Sequence, residues 1–131
     1  MLQLPISLAA FAFAAFINLW LAIRCGKARI EAKAMHGDGG HPMLIKRMRA
    51  QANFVEYTPF ALLLVLGLEL SGHAGWPLAL TAGIFLLGRV SHGLGMDADV
   101  AGPLRQAGMA MTMLPLLALA IVALLAVFAL I

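Results

Sequence analysis

From Met1 to Ile23 the chain carries no charged residue, and from Gln106 to Ile131 it again carries none. About 20 helical residues, rising 1.5 Å each, cross the hydrocarbon of a bilayer, so each run is long enough to span it. Inside hydrocarbon every backbone amide and carbonyl must find a partner within the protein, which leaves helices or closed barrels. A barrel needs strands that alternate polar and apolar residues, and no such alternation is present. The chain therefore reads as an all-α integral membrane four-helix bundle, one domain over 1–131 with spans 2–24, 50–70, 76–92 and 107–130. The composition agrees, 63% hydrophobic against 11% charged, outside the range of soluble domains. A cleaved signal peptide is the rival reading of the first run, but the run lacks a basic leader and is too long.

The connections are equally informative. The loop His36-Gly37-Asp38-Gly39-Gly40-His41 precedes Pro42, a favoured first-turn residue, so the second helix is expected to begin there and to project its first turns into water. Ser71 to Gly75 reads as a tight turn with Trp76 as an interfacial anchor, and the fourth helix follows Pro103. Pro59 and Pro115 lie inside apolar runs and are expected to kink their helices. Met109, Met111 and Met113 alternate, a pattern of packing filler or lipid contact.

The nine Lys and Arg residues fall in two places. Arg24, Lys27, Arg29, Lys33, Lys46, Arg47 and Arg49 separate the first two apolar runs, while Arg89 and Arg105 flank the third connection. The net charge of +3 thus describes topology and not nucleic-acid binding. By the positive-inside rule both basic connections are cytoplasmic and both termini lie on the opposite side. The single Cys25 excludes an intramolecular disulfide and reads as a small buried hydrophobe. The histidines have no ligand spacing, so no metal site is expected.

At about 100° per residue, Arg49, Asn53 and Glu56 fall within an arc of about 60°, Tyr57 sits at its edge, and Gln51 points away. A charge at membrane depth costs a few kcal/mol and is normally kept for a function. Arg89, His92 and Met96 share one face of the third helix, and Arg105 stands alone at the start of the fourth. One interpretation is that these groups only fix helix packing. The other is a cationic pocket, rimmed by one Asn and one Glu, suited to a small ligand with two carboxylates and an amine.

The segment Arg49-Ala50-Gln51-Ala52-Asn53-Phe54-Val55-Glu56-Tyr57-Thr58-Pro59 resembles the R-A-x-x-N-x-x-E-x-x-P signature of the membrane-associated proteins in eicosanoid and glutathione metabolism, MAPEG. Gly37-Asp38-Gly39-Gly40 and Gly88-Arg89-Val90-Ser91-His92 resemble its small bacterial members, and length and layout agree over essentially the whole chain. The resemblance implies a homotrimer in a bacterial inner membrane, binding glutathione between subunits near the cytoplasmic face. Arg49, Asn53, Glu56, Tyr57 and Arg89 would line that site, with Arg29 and Lys27 reaching a carboxylate from the end of the first helix. Glu56 suits the glutathione amine and the arginines its carboxylates. Arg105 matches the arginine thought to activate the sulfur. Lowering a thiol from about 8.5 to about 7 needs roughly 2 kcal/mol, within reach of one nearby guanidinium.

One position departs from the family pattern. Eicosanoid-forming members carry a tyrosine one turn after the third-helix histidine, where this chain has Met96. The resemblance therefore implies a glutathione transferase or peroxidase acting on lipophilic electrophiles or lipid hydroperoxides, with membrane lipids around it. His92 reads as structural. The alternatives are a non-catalytic glutathione-binding or scaffold protein of the same fold, and more remotely a small multidrug transporter, which lacks its usual first-helix carboxylate here.

Overall fold

The computed structural model describes residues 3–131 and contains four helices: α1 Pro5–Glu31, α2 Pro42–Leu70, α3 Trp76–Gly95 and α4 Pro103–Val127. All four are long and apolar enough to cross a membrane. The first residue of the predicted 2–24 span, Leu2, lies outside the described residues.

Each helix starts the same way. A proline occupies the first turn of all four, at Pro5, Pro42, Pro77 and Pro103, and no helix has a side-chain cap from its own N-cap residue. Proline suits that turn because its fixed φ is helical and its missing N–H would have had no partner. α2 and α4 continue through Pro59 and Pro115.

Three helices also end alike. Past α2, His73 N–H bonds Leu68 O at 2.9 Å and Gly72 N–H bonds Glu69 O at 3.3 Å, with Gly72 at φ +89°. This is the Schellman arrangement, which puts one residue in the left-handed region and satisfies the last carbonyls. The same pair of bonds follows α1, through Ala34 to Arg29 and Lys33 to Ile30, and α4, through Leu130 to Leu125 and Ala129 to Ala126. There the left-handed residues are Lys33 and Ala129, both at φ +51°. The turn at Ala129 ends α4 at Val127, short of the 130 expected from hydropathy.

α3 and α4 pack most closely, through glycine. A Cβ on Gly88 would lie 2.7 Å from Met111 Cβ, one on Gly95 2.4 Å from Arg105 N, and one on Gly108 2.4 Å from His92 N. Without a hydrophobic driving force between helices in lipid, such close backbone approach supplies the dispersion that holds them. Met111 of the alternating series is thus partly buried packing material. Ala10, Phe54, Val65, Phe85 and Leu119 centre the core shared by all four helices. Large residues such as Phe16, Leu63, Leu87 and Leu117 are exposed on the outside, where lipid is their solvent.

One carboxylate joins the far ends of α1 and α2. Glu69, 5% exposed, accepts hydrogen bonds from Ile6 N–H at 3.0 Å, Ser7 N–H at 2.7 Å and Ser7 Oγ at 2.5 Å. α1 has no cap of its own, and a residue in the last turn of α2 provides it.

Candidate functional site

At the opposite end of the bundle two acids of the α3–α4 connection gather the bases of α1 and α2. Arg24 Nη2 meets Asp97 Oδ2 at 2.5 Å while its Nη1 donates to Gly93 O at 2.7 Å, and the guanidinium lies 4.8 Å from the Trp20 ring centre. Arg47 donates to Asp97 at 3.5 Å and to Arg24 O at 3.2 Å. Lys46 donates to Asp97 O at 3.1 Å and Asp99 Oδ1 at 2.5 Å. That hydrogen bond and the Lys46 charge hold the Asp99 carboxyl below its ordinary 3.8. Three cations that the sequence reading placed in the basic first connection are therefore engaged inside the chain.

The expected ligand stripe on α2 is divided between two directions. Asn53 turns towards α3, where its Oδ1 accepts from Arg89 Nη2 at 2.8 Å. Arg89 is 1% exposed, and its guanidinium lies 6.0 Å from the Tyr57 ring centre. Arg89 Nε and Nη1 and His92 Nδ1 are buried and have no hydrogen-bond partner. Arg49 and Glu56 turn outward: their side chains are 63% and 52% exposed, and Nη1 to Oε1 is 4.0 Å. At that distance and exposure the pair contributes little by itself.

Arg105 stands half-buried in the first turn of α4, where the Gly95 contact brings its backbone against α3. His92, 3% exposed, lies within electrostatic reach of both Arg89 and Arg105. Asn53, Tyr57, Arg89, His92 and Arg105 thus form one neighbourhood. Arg29 is directed elsewhere: its Nη1 donates to Gly37 O at 2.7 Å and Ala34 O at 3.2 Å, pinning the loop after α1. Lys27 is exposed on α1. Neither bonds to the Asn53–Arg89 pair. Met96 is partly buried at the end of α3, and Cys25 is buried.

Chemically, the neighbourhood is a buried cation with donor capacity left over. The free N–H groups of Arg89 are of the kind that pair with a carboxylate or thiolate, and Glu56, one turn from Asn53, offers an anion to an amine. Among the described residues no cluster of His, Cys, Asp and Glu could hold a metal ion.

Sequence reading missed Asp97 and Glu69. The signal for Asp97 was an acidic pair in a connection expected to lie at the same membrane face as seven bases. Glu69 gave no local signal, because its partners are 62 and 63 residues away.

Comparison with known proteins agrees with this architecture. The profile of the MAPEG family matches residues 7–125. Inner membrane protein YecN of Escherichia coli strain K12, and YecN of the O6:H1 strain, are each 33% identical over 66 residues, 50% of this chain and 50% of theirs. The matched stretch spans about half the length of these curated relatives.

Proposed function

The chain belongs to the MAPEG family, and from that premise we propose that it binds glutathione and promotes attack of its sulfur on lipophilic electrophiles or lipid hydroperoxides. It is an integral membrane protein, and the inner-membrane relatives support the same location here. In this reading the basic connections face the cytoplasm and both termini the other side.

The observation that carries the proposal is Arg89. A guanidinium 1% exposed, with one neutral hydrogen bond and two unpartnered N–H positions, is costly in a membrane unless an anion completes it. Asn53 orients it, and the Tyr57 ring covers one side. Glu56 and Arg49 stand at the outer edge, where they can take the amine and a carboxylate. Arg105 acts at the sulfur: its charge favours the thiolate over the thiol. Glutathione supplies the nucleophilic sulfur for transfer, which forms a C–S bond and expels the leaving group with its electron pair. In the peroxidase reaction two glutathione molecules are oxidised to the disulfide as the hydroperoxide is reduced to alcohol and water.

The test separates binding from chemistry. Glutathione titration of the purified protein, followed by thiolate ultraviolet absorbance, should show thiolate at neutral pH. Arg105→Leu should raise the bound thiol's pKa and cut turnover of an aryl halide or lipid hydroperoxide about tenfold at neutral pH. Affinity measured where the thiol is protonated should change little, and Lys should rescue in part. Equal turnover by the variant would remove Arg105 from the mechanism. Glutathione binding without turnover of any electrophile would instead favour the non-catalytic binding role, for which Met96 in place of tyrosine is the supporting feature.

A further inference from the structure

We infer that the outer face of the last turns of α1 is a binding site for an anionic phospholipid, its phosphate between Lys33 and Arg29 with Lys27 at the flank, and its acyl chain along the apolar stripe below.

α1 sorts its cations by direction. Arg24 points inward and is neutralised by Asp97. Arg29 spends Nη1 on Ala34 O and Gly37 O, and of the rest of its guanidinium only Nη2 has a contact, the Met48 sulfur at 3.7 Å. Lys27 and Lys33 are exposed and make no hydrogen bond or ion pair among the described residues. Glu31, one turn beyond Lys27, forms no pair with it within the 4.0 Å that the Arg49–Glu56 contact reaches.

Arg29 and Lys33 border an apolar hollow. Gly26, Arg29, Ile30, Lys33, Ala34 and Met35 line a groove of about 500 Å³, within the range of small-molecule sites. Its floor is Ile30, 79% exposed, and Met35, 83% exposed. A small polar anion would leave that hydrocarbon in water. An amphiphile with an anionic head covers it.

The depth is that of phospholipid headgroups. α1 has 27 residues, about 40 Å, against about 30 Å of hydrocarbon. Trp20, packed against Gly93 with Arg24 over its ring, stands where α1 turns from apolar to charged residues. The groove begins one to two turns further on. Below it Phe16, Leu19 and Ile23, each more than half exposed, fall with Gly26 and Ile30 within an arc of about 80°. A chain lying on that stripe carries its headgroup to Lys33 and Arg29. Lysines near a bilayer attract anionic lipid with an energy equivalent to about fivefold each.

The inference is tested in vesicles of phosphatidylcholine containing a minor fraction of phosphatidylglycerol with brominated acyl chains. Trp76→Phe leaves Trp20 as the sole tryptophan, and bromine quenches its fluorescence at short range. Brominated phosphatidylglycerol should quench Trp20 several times more effectively than the same fraction of brominated phosphatidylcholine. Lys27→Gln with Lys33→Gln should abolish that preference, and the paired Arg substitutions should keep it. Ile30→Ser should weaken it with the charges intact. Equal quenching by the two lipids, or a preference that survives the double Gln variant, overturns the proposal. Displacement by inorganic phosphate would make this a bare anion site, displacement by glutathione would return the cations to the glutathione site, and equal binding of a soluble polyglutamate peptide would make it a protein-docking face; each overturns the lipid.

Discussion

Arg89 is among the largest side chains the fold buries completely, and Asn53 supplies its one hydrogen bond. Asn53→Leu keeps the branched heavy-atom skeleton, yet it leaves a buried charge with no acceptor. The variant should lose about 1.5–3 kcal/mol of stability in detergent, measured by thermal or denaturant unfolding without glutathione. A loss of that size would show that Asn53 first serves the protein's own cation. Lys33 is the opposite case, a residue the backbone tolerates poorly. At φ +51° its Cβ crowds the carbonyl, and glycine is the usual occupant of that Schellman position. Lys33→Gly should stabilise α1 by about 0.5–1 kcal/mol in the same unfolding measurement, after subtracting the greater freedom glycine has when unfolded. These residues also mark how far the site was legible. The sequence placed Asn53, Arg49 and Glu56 on one arc, because helical spacing fixes angles. It could not tell which part of that arc would meet α3, because this depends on where another helix packs.

Helix starts were legible, and so was the end of α2 at Leu70, but the ends of α1 and α4 were not, for a chemical reason. Proline in a first turn is a distinctive letter, and Pro42 and Pro103 stand where α2 and α4 begin. The Schellman turns after α1 and α4 use Lys33 and Ala129 in place of glycine, so nothing in those letters announces a left-handed residue. Glu69 is the element-scale feature hardest to foresee. A carboxylate in the last turn of a helix is unfavourable to that helix's own dipole, but here it faces the amides that begin α1, where negative charge is favoured. Glu69→Leu removes the acceptor for two backbone amides and the Ser7 hydroxyl, and should cost about 2–3 kcal/mol. Glu69→Gln keeps an acceptor oxygen and should cost about half as much. Hydrogen exchange at Ile6 and Ser7 gives the local readout: accelerated in Leu, less so in Gln. Equal protection in wild type and Leu would mean that another group caps α1.

Across the whole molecule the two polar assemblies sit at opposite ends of the bundle, Glu69 with Ser7 at one and the Asp97 network at the other, with the Asn53–Arg89 pair nearer the second. The ends are thereby tied, and the apolar middle relies on small residues and dispersion. What the single chain does not cover is the Arg49–Glu56 edge of α2, two charges 4.0 Å apart and more than half exposed on a helix that crosses the membrane. A lipid tail offers neither charge a partner. We therefore propose that this edge faces another copy, and that the assembly is the homotrimer the family resemblance implies. Crosslinking in mild detergent should stop at three chains. Glu56→Gln then distinguishes what the edge is for. If Glu56 holds the glutathione amine, the variant should weaken glutathione binding by about 1.5–3 kcal/mol, the worth of a hydrogen bond to a charged group, while the trimer persists. If the carboxylate serves only to join subunits, crosslinking should fall to lower species while whatever binding remains keeps wild-type affinity. A monomeric wild-type protein that binds glutathione at full affinity would count against the shared site directly, because the exposed edge would then be complete without a neighbour.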